Sequence, residues 1–115
     1  MYTILHNSRC GKSRDAMKVM EDSGVEFQVR EYLKEELTFE ELKQIIIDLG
    51  LEASDIVRTT EAIWKENFKG KTFSSDELIQ IMIENPKLIQ RPIVLKDGNG
   101  VVGRPVELIE NFLKK

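Results

Sequence analysis

The sequence predicts an α/β domain in which four strands form one sheet flanked by helices, with a run of helices inserted between the second and third strands. Three observations carry this prediction. The first 32 residues read strand, helix, strand. Two helices with strong capping signals, and a less regular stretch between them, occupy the middle. Two short apolar runs joined by turn residues, followed by an amphipathic segment, close the chain. With 115 residues, 41% of them hydrophobic, the chain is sized for one domain spanning 1–115, with its helical insertion at about 37–87.

Tyr2 to Asn7 is a short β-rich run ending in loop-type residues, and the segment after it places Ala16, Met17, Val19 and Met20 on one helical face until Gly24 stops it. Val25, Phe27 and Val29 then alternate with polar neighbours, as in a half-buried strand. In the middle, Thr38 with Glu41 makes a capping box, Leu37 and Leu42 suit a hydrophobic staple, and Gly50 closes about three turns of helix. Ser74 with Glu77, flanked by Phe73 and Leu78, repeats the device, and that helix ends before Pro86. Between them, residues 54–67 read as one or two short helices with Thr60 as a candidate cap. Ile93 to Leu95 and Val101 to Val102 flank Asp97-Gly98-Asn99-Gly100, which predicts a hairpin. Pro105 at a first helical turn, with Leu108, Ile109, Phe112 and Leu113 at helical spacing, predicts a final helix.

Composition narrows the function. A net charge of −3 with dispersed basic residues offers no general attraction for nucleic acid. No apolar run is long enough to cross a bilayer and no signal-peptide pattern opens the chain, so a soluble cytoplasmic protein is expected. One cysteine rules out an internal disulfide and the multi-thiolate zinc sites, and no metal is expected.

That cysteine, Cys10, lies in His6-Asn7-Ser8-Arg9-Cys10-Gly11-Lys12-Ser13-Arg14, where the first strand gives way to the first helix. Two readings fit it. A lone cysteine in a loop is commonly a small buried apolar residue. At a helix N-terminus, however, unpaired N–H groups and the dipole favour thiolate, and Arg9, Lys12, Arg14 and His6 are near in sequence. An unperturbed thiol is only about 3% ionised at neutral pH, and lowering its pKa to about 6.5 makes thiolate the majority form. Gly11 permits close backbone approach, and the C-terminal edge of a strand in an α/β sheet is where ligands commonly bind. Ser13 makes the motif Cys-x-x-Ser; its hydroxyl can donate to a thiolate or cap the helix but cannot resolve a mixed disulfide, so a second reducing equivalent must come from outside. The phosphatase pattern Cys-x5-Arg fails because Ala16 stands at the arginine position, and a phosphate-loop pattern fails because His6 stands where its leading glycine would fall.

Arg91 and Arg104 each precede a proline, and Arg104 falls at a predicted helix N-terminus, where a cation is electrostatically misplaced. Guanidinium forks suit tetrahedral oxyanions, and Arg58, in a junction of the insertion, can join them; the plainer reading of each is a solvated or salt-bridged surface arginine.

Taken together, His6–Arg14, Ile56-Val57-Arg58-Thr59-Thr60-Glu61, Gln90-Arg91-Pro92-Ile93-Val94-Leu95 and Val102-Gly103-Arg104-Pro105-Val106-Glu107, in this order and spacing, resemble the glutaredoxin-coupled ArsC-type arsenate reductases from Thr3 to about Leu113. The resemblance implies a thioredoxin-like four-stranded mixed sheet with flanking helices and an inserted helical subdomain. It implies a catalytic Cys10, with His6 linked to a lowered thiol pKa, and an oxyanion set of Arg58, Arg91 and Arg104. It also implies a cis peptide before Pro92. Many members have proline where this chain has Ser8. The related Spx-type regulators usually carry Cys-x-x-Cys and lack the Gly-Arg-Pro segment, whereas this chain has Ser13 and Gly103-Arg104-Pro105.

The function expected from the resemblance is reduction of arsenate to arsenite through a Cys10 adduct, with glutathione as external thiol donor and glutaredoxin as partner. No tightly bound cofactor, no direct nucleic-acid contact and no membrane contact are expected, and a monomer is expected. Two alternatives stand beside it: an Spx-like redox regulator that binds RNA polymerase, and a thiol-disulfide oxidoreductase without arsenate activity.

Overall fold

The computed structural model describes residues 1–7, 9–103 and 106–114. In chain order the elements are β1 (Tyr2–Leu5), α1 (Gly11–Ser23), β2 (Phe27–Arg30), α2 (Phe39–Leu49), α3 (Ala53–Ile56), α4 (Ala62–Asn67), α5 (Ser75–Glu84), β3 (Ile93–Lys96), β4 (Asn99–Val102) and α6 (Glu107–Leu113), with one 3-10 turn at Pro86–Leu88. The chain divides into two compact units, Met1–Glu35 with Arg91–Lys115, and Glu36–Gln90. The insertion read at about 37–87 falls inside the second.

The first unit is built on a mixed sheet of order β2-β1-β3-β4. β1 runs parallel to β2, pairing Tyr2 with Phe27 and Leu5 with Arg30. It runs antiparallel to β3, pairing Thr3 with Leu95 and Leu5 with Ile93, so the end of β1 lies beside the start of β3. Tyr2, Ile4, Ala16, Met20, Val94 and Ile109 form the core beneath one face of this sheet, with Met17, Val19, Phe27 and Phe112 packed around them. The periodicity that predicts α1 and α6 is therefore the stripe these helices bury, except that Leu108 is 40% exposed. Val29 is also 40% exposed, because β2 is an edge strand.

The β3–β4 turn is tighter than the four-residue segment the sequence suggests. Asp97 (φ 47°) and Gly98 (φ 79°) alone make it, both in the left-handed region that a two-residue hairpin loop requires, and Asn99 and Gly100 already belong to β4.

In the second unit, α2 and α5 begin with the expected capping boxes. Thr38 Oγ1 accepts the Glu41 N–H at 3.1 Å while the Glu41 carboxylate accepts the Thr38 N–H at 3.0 Å. Ser74 and Glu77 repeat this at 3.2 and 2.8 Å. Leu37 and Leu42, the staple pair, are both buried. α5 packs against α2 and α3, burying Leu42, Ile45, Ile46, Ala53, Ile56, Leu78, Ile79 and Met82. The stretch between them holds two short helices, and the cap position of α4 is Glu61, not Thr60. Residue Val57 bridges to Ile89, and the Arg58 N–H donates to the Leu88 carbonyl at 2.7 Å, which ties the α3–α4 junction to the chain leaving α5.

Candidate active site

The loop between β1 and α1 is organised by Asn7, a residue the sequence reading did not single out. Its carbonyl accepts the Cys10 N–H at 3.0 Å, its side-chain Oδ1 accepts the Arg9 N–H at 3.0 Å, and its own N–H donates to Ser13 Oγ at 3.0 Å. An asparagine directly after a β run, with a side chain able to close a turn two residues on, is the signal that could have found it. Just before it, the His6 N–H donates to the Arg30 carbonyl at 2.9 Å and extends the β1–β2 ladder by one bond. The loop therefore delivers Cys10 to the N-cap of α1 in an extended conformation (φ −102°, ψ 122°), where its carbonyl accepts the Arg14 N–H at 3.0 Å.

Cys10 is 9% exposed. Burial alone pushes its thiol pKa up, but the Ser13 N–H, a hydrogen bond from the Arg91 guanidinium, the charge of that guanidinium and the Lys12 N–H together outweigh burial, and the thiol is more acidic than usual. The sulfur makes no regular capping hydrogen bond; the first-turn N–H groups act on it as the positive end of the helix does on any nearby anion. Arg91 stands two residues before β3, and its peptide to Pro92 is cis. Because the start of β3 lies beside the end of β1, the sheet itself brings this guanidinium to the cysteine loop.

The other two residues of the motif form a buried pair. His6 Nδ1 lies 2.8 Å from Ser13 Oγ, with His6 8% and Ser13 0% exposed. Desolvation lowers the His6 pKa, Glu31 opposes that and Arg14 adds to it, so near neutrality the ring is uncharged. His6 is therefore an uncharged partner of Ser13 rather than a cation acting on the sulfur. With the ring proton on Nε2, the Ser13 hydroxyl donates to Nδ1; with the proton on Nδ1, the ring donates and the hydroxyl proton is released toward other acceptors. In either case Ser13 meets Cys10 with its backbone N–H.

Of the three arginines, Arg91 is at Cys10. Arg58 lies in the second unit at the α3–α4 junction, where its Nη1 donates to the carboxylate of Glu61. Arg104 lies outside the described residues, as do Ser8 and Pro105. Arg9, Gly11, Lys12 and Arg14 are exposed around the loop. A Cβ placed on Gly11 would meet only Arg14 Nη2, at 3.8 Å, so the protein itself does not require glycine there. Among the described residues no group of three or more His, Cys, Asp or Glu side chains is placed to hold a metal ion, and no helix is long and apolar enough to cross a membrane.

Comparisons with known proteins agree on one relationship. Residues 5–112 match the model of the family described as the ArsC family. An arsenate reductase from Neisseria meningitidis serogroup B is 38% identical over 112 residues, covering 96% of each chain. The uncharacterized protein YfgD of Escherichia coli K12 is 38% identical over 108 residues, covering 92% of this chain and 91% of that one. Among solved structures, an arsenate reductase from Vibrio cholerae superposes with a TM-score of 0.90 at 39% identity, covering 96% of this chain and 95% of that one.

Proposed function

The chain belongs to the ArsC family, and from that premise we propose that it is an arsenate reductase whose single sulfur is recycled by external thiols. The observation that carries the proposal is the Arg91 guanidinium hydrogen-bonded to Cys10 at the N-terminus of α1. That cation favours the thiolate together with the Ser13 and Lys12 N–H groups, and it also attracts a tetrahedral anion to the sulfur.

In this mechanism the Cys10 thiolate attacks arsenic(V), an As–S bond forms, and one arsenate oxygen leaves as water after taking up protons. Arg91 neutralises charge on the remaining oxygens, and Arg58 and Arg104 are the further oxyanion-binding groups that the family resemblance implies. A thiolate of glutathione then attacks the Cys10 sulfur. An S–S bond forms, the As–S bond breaks with its electron pair going to arsenic, and arsenite, now As(III), departs. Cys10 is left in a mixed disulfide with glutathione. With Ser13 where a second cysteine would stand, the disulfide is cleared by another external thiol, supplied by glutathione through glutaredoxin. The sum is two thiols oxidised to one disulfide for one arsenate reduced.

The test is arsenate turnover by purified protein with glutathione and glutaredoxin, run beside Cys10→Ser. Turnover in the native chain and its complete loss in the variant are expected. Arsenate or sulfate should also protect Cys10 against iodoacetamide. A native protein that reduces glutathionylated substrates but leaves arsenate untouched would overturn the proposal.

A further inference from the structure

Arg58 is not a free guanidinium. Its side chain is 16% exposed, and Nη1 is bonded to a Glu61 carboxylate that is itself only 30% exposed. The backbone holds the two together: the Arg58 N–H is fixed to the Leu88 carbonyl at 2.7 Å, and the Arg58 carbonyl accepts the Glu61 N–H at 3.3 Å. Glu61 occupies the N-cap position of α4, where a carboxylate would ordinarily serve the orphan N–H groups of the first turn. It makes no such bond and turns back to the guanidinium instead. The helix start therefore goes without its side-chain cap so that this arginine can have a partner.

Resting on the reading of Arg58 as an oxyanion-binding group, we propose that Glu61 is a built-in competitor: its carboxylate holds Arg58 Nη1 while no anion is bound and must be displaced by a tetrahedral oxyanion that takes that nitrogen. A half-buried guanidinium without a counter-charge is costly, and Glu61 removes that cost in the empty state. The same contact raises the affinity an anion must offer, because a ligand that takes Nη1 first breaks the Arg58–Glu61 bond. Affinity is thus set below what the arginine alone would give, and weakly held anions are kept out. Glu61 touches no reacting atom in this scheme; its effect is on binding.

Calorimetric titration with sulfate, a non-reducible tetrahedral anion, tests this on the full chain. Glu61→Gln keeps the side chain's shape and removes its charge, and should bind sulfate several-fold more tightly than the native protein, on the order of 3- to 10-fold. Glu61→Ala should move the same way. In the background Arg58→Ala the gain should vanish, since the two residues act on one contact. An unchanged affinity in Glu61→Gln overturns the proposal. A weaker affinity also overturns it, by showing that Glu61 holds Arg58 in position for the ligand. Absence of sulfate binding in both native and Glu61→Gln protein overturns it as well. Failure of the arsenate reading is seen separately, as sulfate binding to native protein that gives Cys10 no protection from alkylation.

Discussion

Cys10 is a residue on which opposing influences can be ranked. Burial resists ionisation, and the end of α1 with Arg91 wins against it. Removing the guanidinium leaves the effect of burial with less opposition, so Arg91→Ala should shift the pH midpoint of Cys10 alkylation upward and slow the reaction several-fold at neutral pH. A midpoint that stays in place would assign the acidity to the helix end alone. The sign for stability follows from linkage. The native thiol gives up its proton at lower pH than the unfolded one, so between the two values the unfolded chain binds more protons and stability rises with pH. This contribution is complete above the ordinary thiol range and is lost as pH falls through the native value. At this scale the sequence made the sulfur and its helix end legible, because residue type and local spacing carry those signals; of the three arginines it singled out, the structure sets Arg91 beside the sulfur. The role of Asn7 was hidden because a turn built from three backbone and side-chain bonds has no periodicity. The turning of Glu61 toward Arg58 was hidden because any arginine three residues before a glutamate looks like a surface pair.

Among the elements, helix starts divide into those that the side chain makes and those it does not. Thr38 and Ser74 each hold an N3 N–H and are answered by a glutamate. Thr60, equally suitable by residue type, holds nothing, because the turn leading into α4 passes through it and places Glu61 at the cap. Thr38→Ala should therefore cost about 1 kcal/mol in chemical denaturation, whereas Thr60→Ala should cost close to nothing. Equal losses would mean that Thr60 caps α4 in solution. The contrast explains where element boundaries could be read from sequence. α2 and α5 carry reciprocal signals at both ends of a four-residue motif, and their starts were legible to the residue. The hairpin was legible in kind but not in extent, since Asp-Gly and Asn-Gly are equally good two-residue turns and only the pairing of Lys96 with Asn99 selects the first.

For the molecule, the α/β class, the strand count and the helical insertion followed from the order of elements, and the mixed sheet came with the family resemblance. The tight joint at Gly103 did not follow from either. Its N–H donates to the Pro92 carbonyl at 2.8 Å, and a Cβ placed on it would collide with the Ile109 side chain and lie 3.1 Å from Pro92 Cγ. Sequence spacing marks a glycine after a strand but does not reveal that a helix and a proline close on it from both sides. Gly103→Ala should destabilise the protein by about 1–3 kcal/mol through overpacking, and urea denaturation would measure it; a neutral result would mean that α6 can move away freely. Finally, the antiparallel register that sets Leu5 against Ile93 has a chemical corollary. The Cys10 sulfur follows one of these strands and the Arg91 guanidinium precedes the other, so their meeting depends on ladder bonds as well as on the loop that Asn7 organises. The share of that thiol's acidity that comes from Arg91 is accordingly a gauge of sheet integrity: during denaturation, that share and the β1–β3 pairing should disappear in a single step.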